Sequence, residues 1–194
     1  MILLVRHGET EWNLAGRFQG WADSPLTSRG VAQAEAIGRA LGALPETQGV
    51  PVVASPLGRA RCTAELIQAA RGDVSPITFD DRLKEVSIGA WDELSRDEIE
   101  NRSPGVFDRY GPGEWEFHCP GGETYEAFSG RIAAWLAEYG EPGVIAVAHG
   151  VVTRVLRGLY AGLPRAVMVR LPVPQDVIWR LDGGRIEEIA IDTV

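Results

Sequence analysis

Ile2-Leu3-Leu4-Val5-Arg6-His7-Gly8 and, far along the chain, Val144-Ile145-Ala146-Val147-Ala148-His149-Gly150 share one pattern: a short apolar run, then a histidine, then a glycine. Unbroken apolar runs rich in branched residues are the mark of strands buried on both faces, the habit of a parallel sheet. Val52 to Ala54 is a third such run, and each is followed by a segment of helical periodicity. Thr27 to Leu44 places Val31, Ile37, Leu41 and Leu44 near one stripe, and Ser55 with Pro56 reads as the N-cap and first-turn proline of a helix reaching Ala70. Thr124 to Tyr139 carries Phe128, Ile132, Leu136 and Tyr139 at three-to-four spacing, and Val151 to Tyr160 is a fourth apolar helix. This alternation predicts a three-layer α/β/α sandwich with a mostly parallel central sheet and right-handed crossovers.

Two stretches break the rhythm. Asp80 to Gly122 holds one short helix, opened by a capping box of Ser95 and Glu98, and then a run rich in Gly, Pro and aromatics from Pro104 to Gly122. Irregular segments of that length are usually functional or mobile. Toward the carboxyl end, Val167 to Leu171, Val177 to Leu181 and Ile186 to Ile191 read as strands, the last two joined through Asp182, Gly183 and Gly184 as a hairpin. There is no internal repeat and no low-complexity tail.

At 194 residues the chain has room for one compact domain with a small cap. Its 45% hydrophobic and 24% charged residues are those of an ordinary folded protein. A net charge of -8 has the wrong sign for gripping a phosphate backbone, so nucleic acid is not the expected partner. Cys62 and Cys119 form no C-x-x-C pair, which supports neither a disulfide framework nor a structural zinc site and fits a reducing compartment. Arg6 and His7 interrupt the first apolar run before a signal-peptide core forms, and no run approaches bilayer length, so a cytoplasmic location without membrane contact is expected.

The chemistry begins with the histidines. Ligands of open α/β sheets bind beyond the carboxyl ends of the strands, so His7 and His149 are expected at one rim, with Gly8 and Gly150 giving a ligand access to the backbone. A lone strand-end histidine more often satisfies a core hydrogen bond, but two in the same context point to a shared ligand. Arg6 precedes His7, and Arg59, in the first turn after the Val52 to Ala54 strand, can face the same rim, whereas Arg61 reads as a solvated face residue. Two guanidinium forks match phosphate oxygens, where a carboxylate needs only one. A neutral imidazole can attack phosphorus and split one displacement into two through a phosphohistidine. Glu85 is a candidate proton donor for the leaving oxygen, with Asp81, Glu93, Asp97 and Glu98 as rivals. Walker A, G-x-G-x-x-G, G-x-S-x-G and H-E-x-x-H signatures are absent, and the spacing of His7, His118 and His149 does not indicate a metal.

Taken together these residues resemble the histidine phosphatase superfamily, in the branch of cofactor-dependent phosphoglycerate mutases and broad-specificity phosphatases. Five blocks carry the resemblance in order: Leu4 to Asn13, Pro25 to Thr27 with Gly30 to Gln33, Ser55 to Ala60, Leu83 to Gly89 with Trp91, and Ala148 to Gly150. The resemblance implies a single domain over 1–194, with 80–122 as an inserted cap and specificity segment over the active site. It implies that His7 is phosphorylated, that Arg6, Arg59 and a protonated His149 hold the phosphoryl group, that Glu85 is the proton donor, and that Asn13 contacts phosphate, with Gly150 on the substrate side. A hydrogen bond to a nearby backbone carbonyl is expected to fix the tautomer of His7. No metal and no cofactor are expected.

Between phosphatase and mutase the sequence leans to hydrolysis. The family's mutases use extra basic residues after the acid and in a long insertion. Here Val86 follows Glu85, and only Arg96, Arg102 and Arg109 are basic between Glu85 and Gly122, while Phe107, Tyr110, Trp115 and Phe117 supply aromatics and Glu114 and Glu116 negative charge. The expected activity is metal-independent hydrolysis of small phosphomonoesters, with a phosphoglycerate mutase as the alternative. Asp92 and Glu93 stand where many of the phosphatases carry Glu and Gly, which leaves the conformation of that turn open. His118 is expected at the pocket rim or in packing, and the carboxyl-terminal hairpin edge leaves room for a homodimer.

Overall fold

A computed structural model describes residues 1–74, 76–139 and 143–192. In chain order the elements are β1 (Ile2–Arg6), α1 (Glu11–Leu14), α2 (Ser28–Ala43), β2 (Val52–Ala54), α3 (Gly58–Arg71), β3 (Thr78–Phe79), α4 (Arg96–Arg102), α5 (Val106–Tyr110), α6 (Tyr125–Tyr139), β4 (Val144–Ala148), α7 (Gly150–Tyr160), α8 (Arg165–Met168), β5 (Val177–Asp182) and β6 (Arg185–Ala190). The strands make one six-stranded sheet in the order β3-β2-β4-β1-β5-β6. The four strands from β3 to β1 are parallel, with Leu4 and Val53 both opposite Ala146. Strand β5 lies antiparallel on β1, and β6 returns through a Gly183–Gly184 turn. Both glycines have positive φ, 54° and 77°, as a two-residue hairpin turn requires.

Period-two alternation explains why these strands are apolar throughout. Ile2, Leu4, Val53, Val144 and Ala146 face a core shared with Phe128, Ile132 and Trp135 of α6 and Val152, Val155 and Leu156 of α7. Leu3, Val5, Val52, Ile145 and Val147 face the other core, with Ile37 and Leu41 of α2 and Ala60, Ala64 and Ile67 of α3. The sheet is therefore the middle of three layers, as expected. Thr27 caps α2 through Gly30 N–H, and Ser95 with Glu98 closes the expected capping box of α4.

Two expectations for local structure fail. Val167 to Leu171 is not a strand. Pro164 instead opens the short helix α8, Met168 packs where Gly158 of α7 leaves room, and Pro172 follows. The free edge of β1, where such a strand would pair, is taken by β5. Ser55 is likewise not the N-cap of α3. That position belongs to Leu57, and the helix's first amides, of Gly58 and Arg59, donate to the Asp23 carboxylate.

Between β1 and the site, two glycines let backbones meet. A Cβ on Gly8 would lie 2.3 Å from the Gly30 carbonyl oxygen, and one on Gly30 would lie 2.1 Å from the Glu9 carbonyl oxygen. The space at Gly8 thus admits helix α2 and not a ligand, correcting the role expected of it. A Gly30→Ala change therefore forces backbone to move. The expected cost is about 1–3 kcal/mol, read as a melting temperature lower by roughly 2–10 °C in calorimetry.

Candidate active site

The carboxyl ends of β1, β2 and β4 open on one cleft, lined among others by Arg6, His7, Asn13, Arg59, Glu85 and Gly150. Its volume is about 160 Å³, below the roughly 300–1,000 Å³ of drug-sized ligand pockets. His149 does not line the cleft. It is fully buried beneath it, with its ring centroid 5.2 Å from that of His7. Every residue expected at the site is thus brought to one place, His149 a layer below the rest. His118 is not: it is exposed and stacks on Tyr110 at 3.7 Å.

His7 Nδ1 is 2.8 Å from the carbonyl oxygen of Gly8. A carbonyl only accepts, so Nδ1 carries the proton and Nε2 keeps its lone pair. Burial pushes the His7 imidazole well below its ordinary value, with Arg59 and Arg6 adding to the effect. The nucleophile-capable form is therefore the resting form. His149 Nε2 meets Ser55 Oγ at 2.7 Å, while its buried Nδ1 has no hydrogen-bond partner among the described residues. Burial pushes this ring well below its usual value too, followed by Arg59, His7 and Arg6. With no anion in the cleft His149 is thus held neutral, first by burial and then by the positive charge of its neighbours; the protonated form expected around a bound phosphoryl group concerns the occupied cleft.

The arginines are held by backbone carbonyls. Arg6 Nη1 donates to Val173 O at 2.6 Å. Arg59, 2% exposed, donates from Nη1 to Ala22 O at 2.7 Å and Asp23 Oδ1 at 2.9 Å, and from Nη2 to Gly20 O at 2.8 Å. The Nε groups of both are buried without a partner among the described residues, and both residues line the cleft. Burial pulls Arg6 down to about 10, with Glu85 opposing and Arg154 and Arg59 reinforcing, so the guanidinium remains charged at neutral pH. Unpaired buried donors of this kind are costly to leave unsatisfied, and an anion is the ligand that satisfies them.

Glu85 Oε2 accepts the Val151 N–H at 3.1 Å at the start of α7, and Oε1 accepts the Val86 N–H at 3.0 Å. Its own carbonyl is held by Trp21 Nε1 and Arg131 Nη2. Each carboxyl oxygen retains a further lone pair toward the cleft. The rivals are placed elsewhere: Asp81, Glu93, Asp97 and Glu98 do not line the cleft. Asn13 Oδ1 accepts from Thr10 N–H and Gln175 Nε2, which commits its oxygen to the scaffold. Gly150 lies at the cleft with ordinary contact distances to Arg6 Nε, Glu85 Oε2 and Val173, each 3.7 Å from the position a Cβ would take.

Sequence reasoning missed several supports. Asp23 caps α3 and pairs with Arg59 at once. Gln175 Nε2 reaches both His7 O and Asn13 Oδ1, and Gln19 lines the cleft while donating to Thr10 Oγ1. Leu171, Pro172 and Val173 offer consecutive carbonyls to Arg154, Arg157 and Arg6. The two prolines around Val173 were the available signal, since they keep this stretch out of a ladder. Turn residue Glu93 has a φ of 70°, so the turn keeps a left-handed conformation although a glycine is lacking. Among the described residues no three of His, Cys, Asp and Glu are grouped as a metal site, and no helix is long and apolar enough to cross a membrane.

This is an α/β protein with a cleft at the carboxyl ends of its central strands, where arginines Arg6 and Arg59 meet a buried histidine pair. Residues 2–185 match the family model of the histidine phosphatase superfamily (branch 1), and the chain belongs to that family. It is 36% identical to the probable phosphoglycerate mutase GpmB of Salmonella paratyphi C (strain RKS4594), over 93% of this chain and 84% of that protein. Among solved structures it is similar to the alpha-ribazole phosphatase of Shigella flexneri, at 26% identity and a TM-score of 0.79, covering 98% of this chain and 95% of that one. It is also similar to a mycobacterial glucosyl-3-phosphoglycerate phosphatase determined with VO3, at 28% identity and a TM-score of 0.76, covering 97% and 96%.

The two buried neutral imidazoles have a consequence for stability. Both are free to protonate near 6.5 in the unfolded chain but held lower in the fold. Below pH 6.5 the unfolded state therefore binds more protons, and stability falls as pH falls toward the folded values, by up to about 1.4 kcal/mol per pH unit for each ring. Urea melts between pH 7.5 and 5.5 are expected to show this slope, and His149→Asn to remove about half of it.

Proposed function

We propose that this protein is a metal-independent phosphomonoesterase that works through a phosphohistidine on His7. The observation that carries the reading is the His7 ring itself: Nδ1–H is tied to the Gly8 carbonyl, which leaves Nε2 of the neutral ring its lone pair, beside Arg6 and Arg59. The phosphoryl oxygens of a bound ester take the unpartnered donors of the two guanidiniums. A dianion there also supplies the negative charge that lets His149 take up a proton and donate from Nδ1. His7 Nε2 then forms the N–P bond as the P–O bond to the leaving alcohol breaks, and the protonated Glu85 carboxyl gives its proton to that oxygen. The positive charge arising on the phosphorylated ring is borne against the Gly8 carbonyl.

In the second step water attacks phosphorus, its proton passes to the Glu85 carboxylate, and the P–N bond breaks to return His7 and inorganic phosphate. Charge spread over the equatorial oxygens is met at both stages by the same fixed donors, which do not reorganise during the reaction. Residues 1–194 act as one domain in this reading. Within 80–122, Glu85, Val86, Ile88, Trp115 and Glu116 line the cleft, and the segment serves as its specificity element. Arg96, Arg102 and Arg109 do not line it, and the two arginines that do besides Arg6 and Arg59, Arg17 and Arg154, are engaged by the carboxylates of Glu98 and Glu116, whereas a mutase needs free basic groups there to retain a phosphorylated acid. This supports hydrolysis over transfer.

The mutase reading is favoured by one observation, the 36% identity to a probable phosphoglycerate mutase. Interconversion of 3- and 2-phosphoglycerate, stimulated by 2,3-bisphosphoglycerate, decides for it. For the phosphatase reading, release of phosphate from an aryl phosphate in the presence of a chelator is expected. His7→Ala should lower kcat at least about 10³-fold, and brief exposure to substrate should leave acid-labile phosphate on the wild-type chain. Undiminished turnover by His7→Ala would reject the nucleophile.

A further inference from the structure

Above the cationic cup the cleft carries a charged pair that the reaction just described does not use. Glu116, 9% exposed, lies in the short turn Trp115–Phe117, and its Oε1 accepts from Arg154 Nη1 at 3.3 Å. Its Oε2 is buried with no hydrogen-bond partner among the described residues. Arg154 projects from α7 and is anchored a second time by Nε donating to Leu171 O at 3.0 Å. Both residues line the same cleft as His7 and Glu85. A buried carboxyl oxygen left unpaired is costly, and at a ligand cleft its natural partner is a donor that arrives with the ligand.

We propose that Glu116 and Arg154 form a leaving-group subsite that selects phosphomonoesters of uncharged, hydroxyl-bearing alcohols, of the polyol or sugar class, over esters whose alcohol carries a carboxylate. The proposal rests on the phosphomonoesterase reading of this cleft. A hydroxyl can donate to Glu116 Oε2 and accept from the Arg154 guanidinium at the same time. A carboxylate has no proton to donate, and it places like charge against Glu116 while the two arginines on that side of the cleft are already engaged, Arg154 by Glu116 and Arg17 by Glu98. An ammonium group meets Arg6 and Arg154 in the same cleft. Burial pushes the Glu116 carboxyl up, Arg154 opposing and Glu85 adding to the rise, and a hydroxyl can pair with the group in either protonation state. Trp115 supplies an apolar wall for the carbon skeleton, and it is itself fixed by Phe18 at 4.6 Å and Phe107 at 5.1 Å.

Glycerol 3-phosphate, 3-phosphoglycerate and n-propyl phosphate are matched in length and test the pair directly. In the wild-type protein kcat/KM for glycerol 3-phosphate is expected to exceed each of the others by about tenfold or more, because a site built to bond a hydroxyl rejects the analogue lacking it. Glu116→Gln removes the negative charge and is expected to cut the preference over 3-phosphoglycerate by about tenfold. The wild-type ratios need no variant to fold. Ratios near one, a preference for 3-phosphoglycerate, or a ratio unmoved by Glu116→Gln would overturn the subsite alone, provided phosphate release still requires His7. Release that does not require His7 would overturn the phosphohistidine reading as well.

Discussion

The site depends on holding two guanidiniums close to two imidazoles in a buried cup without cancelling the charge. Backbone carbonyls make this possible. Val173 O grips Arg6, and Gly20 O and Ala22 O grip Arg59. A carbonyl dipole fixes a guanidinium's orientation and satisfies its N–H groups, yet carries no net charge to compete with an anionic ligand. Asp23 is the one carboxylate bonded to these two arginines among the described residues, and its side chain is 35% exposed, so solvent weakens its share of the field. Burial first, and the uncompensated guanidinium charge after it, drive both histidines toward neutrality. One buried arrangement thus keeps cationic donors and an unprotonated imidazole side by side, as the proposed reaction needs.

That arrangement needs loops to be placed as accurately as strands. The Gly20 to Asp23 loop holds Arg59, and Gly20 packs closely against the side chains of Asp92 and Ile88. Gly20 is required there, since a Cβ would lie 2.0 Å from Asp92 Oδ1. Glu93 pays for this placement with a left-handed backbone, a strain of about 1–2 kcal/mol for a residue with a side chain. Its N–H donates to Phe18 O, which ties the same turn to the strand-like entry of the loop. Strain is retained where the surrounding bonds over-determine it.

The sheet and the residues of its edge were legible because they rest on local patterns. Three apolar runs, two with a histidine at the carboxyl end, define strands, layers and rim without any knowledge of pairing. What stayed hidden rests on contacts between distant segments. Asp23 and Arg59 are separated by 36 residues, and Gln175 and His7 by 168, and neither pairing leaves a local signature. Ser55 was read as a cap because Ser-Pro before an apolar stripe is a helix start. Its hydroxyl is taken by His149 instead, and Asp23 replaces it at the helix. Val167 to Leu171 was read as a strand because alternation cannot reveal that the neighbouring sheet edge is occupied.

In the proposed reaction the cleft has a phosphoryl half and a leaving-group half that follow different rules, and that difference bears on how one fold can serve related reactions. The phosphoryl half is built from strand ends and helix starts whose positions the three layers dictate. The leaving-group half comes from the irregular segment, through Val86, Ile88, Trp115 and Glu116, and from Arg154 on α7. Aromatic packing of Trp115 against Phe18, Phe107 and Trp91 makes that half rigid although it is not regular. Substitutions there can alter what leaves without disturbing how phosphorus is held. The separation is incomplete at Glu85, which meets the leaving oxygen in the proposed reaction and is fixed by the first turn of α7, the helix that also carries Arg154. Any change in the leaving-group wall that shifts α7 therefore reaches the proton donor, which ties selectivity to rate through a single helix.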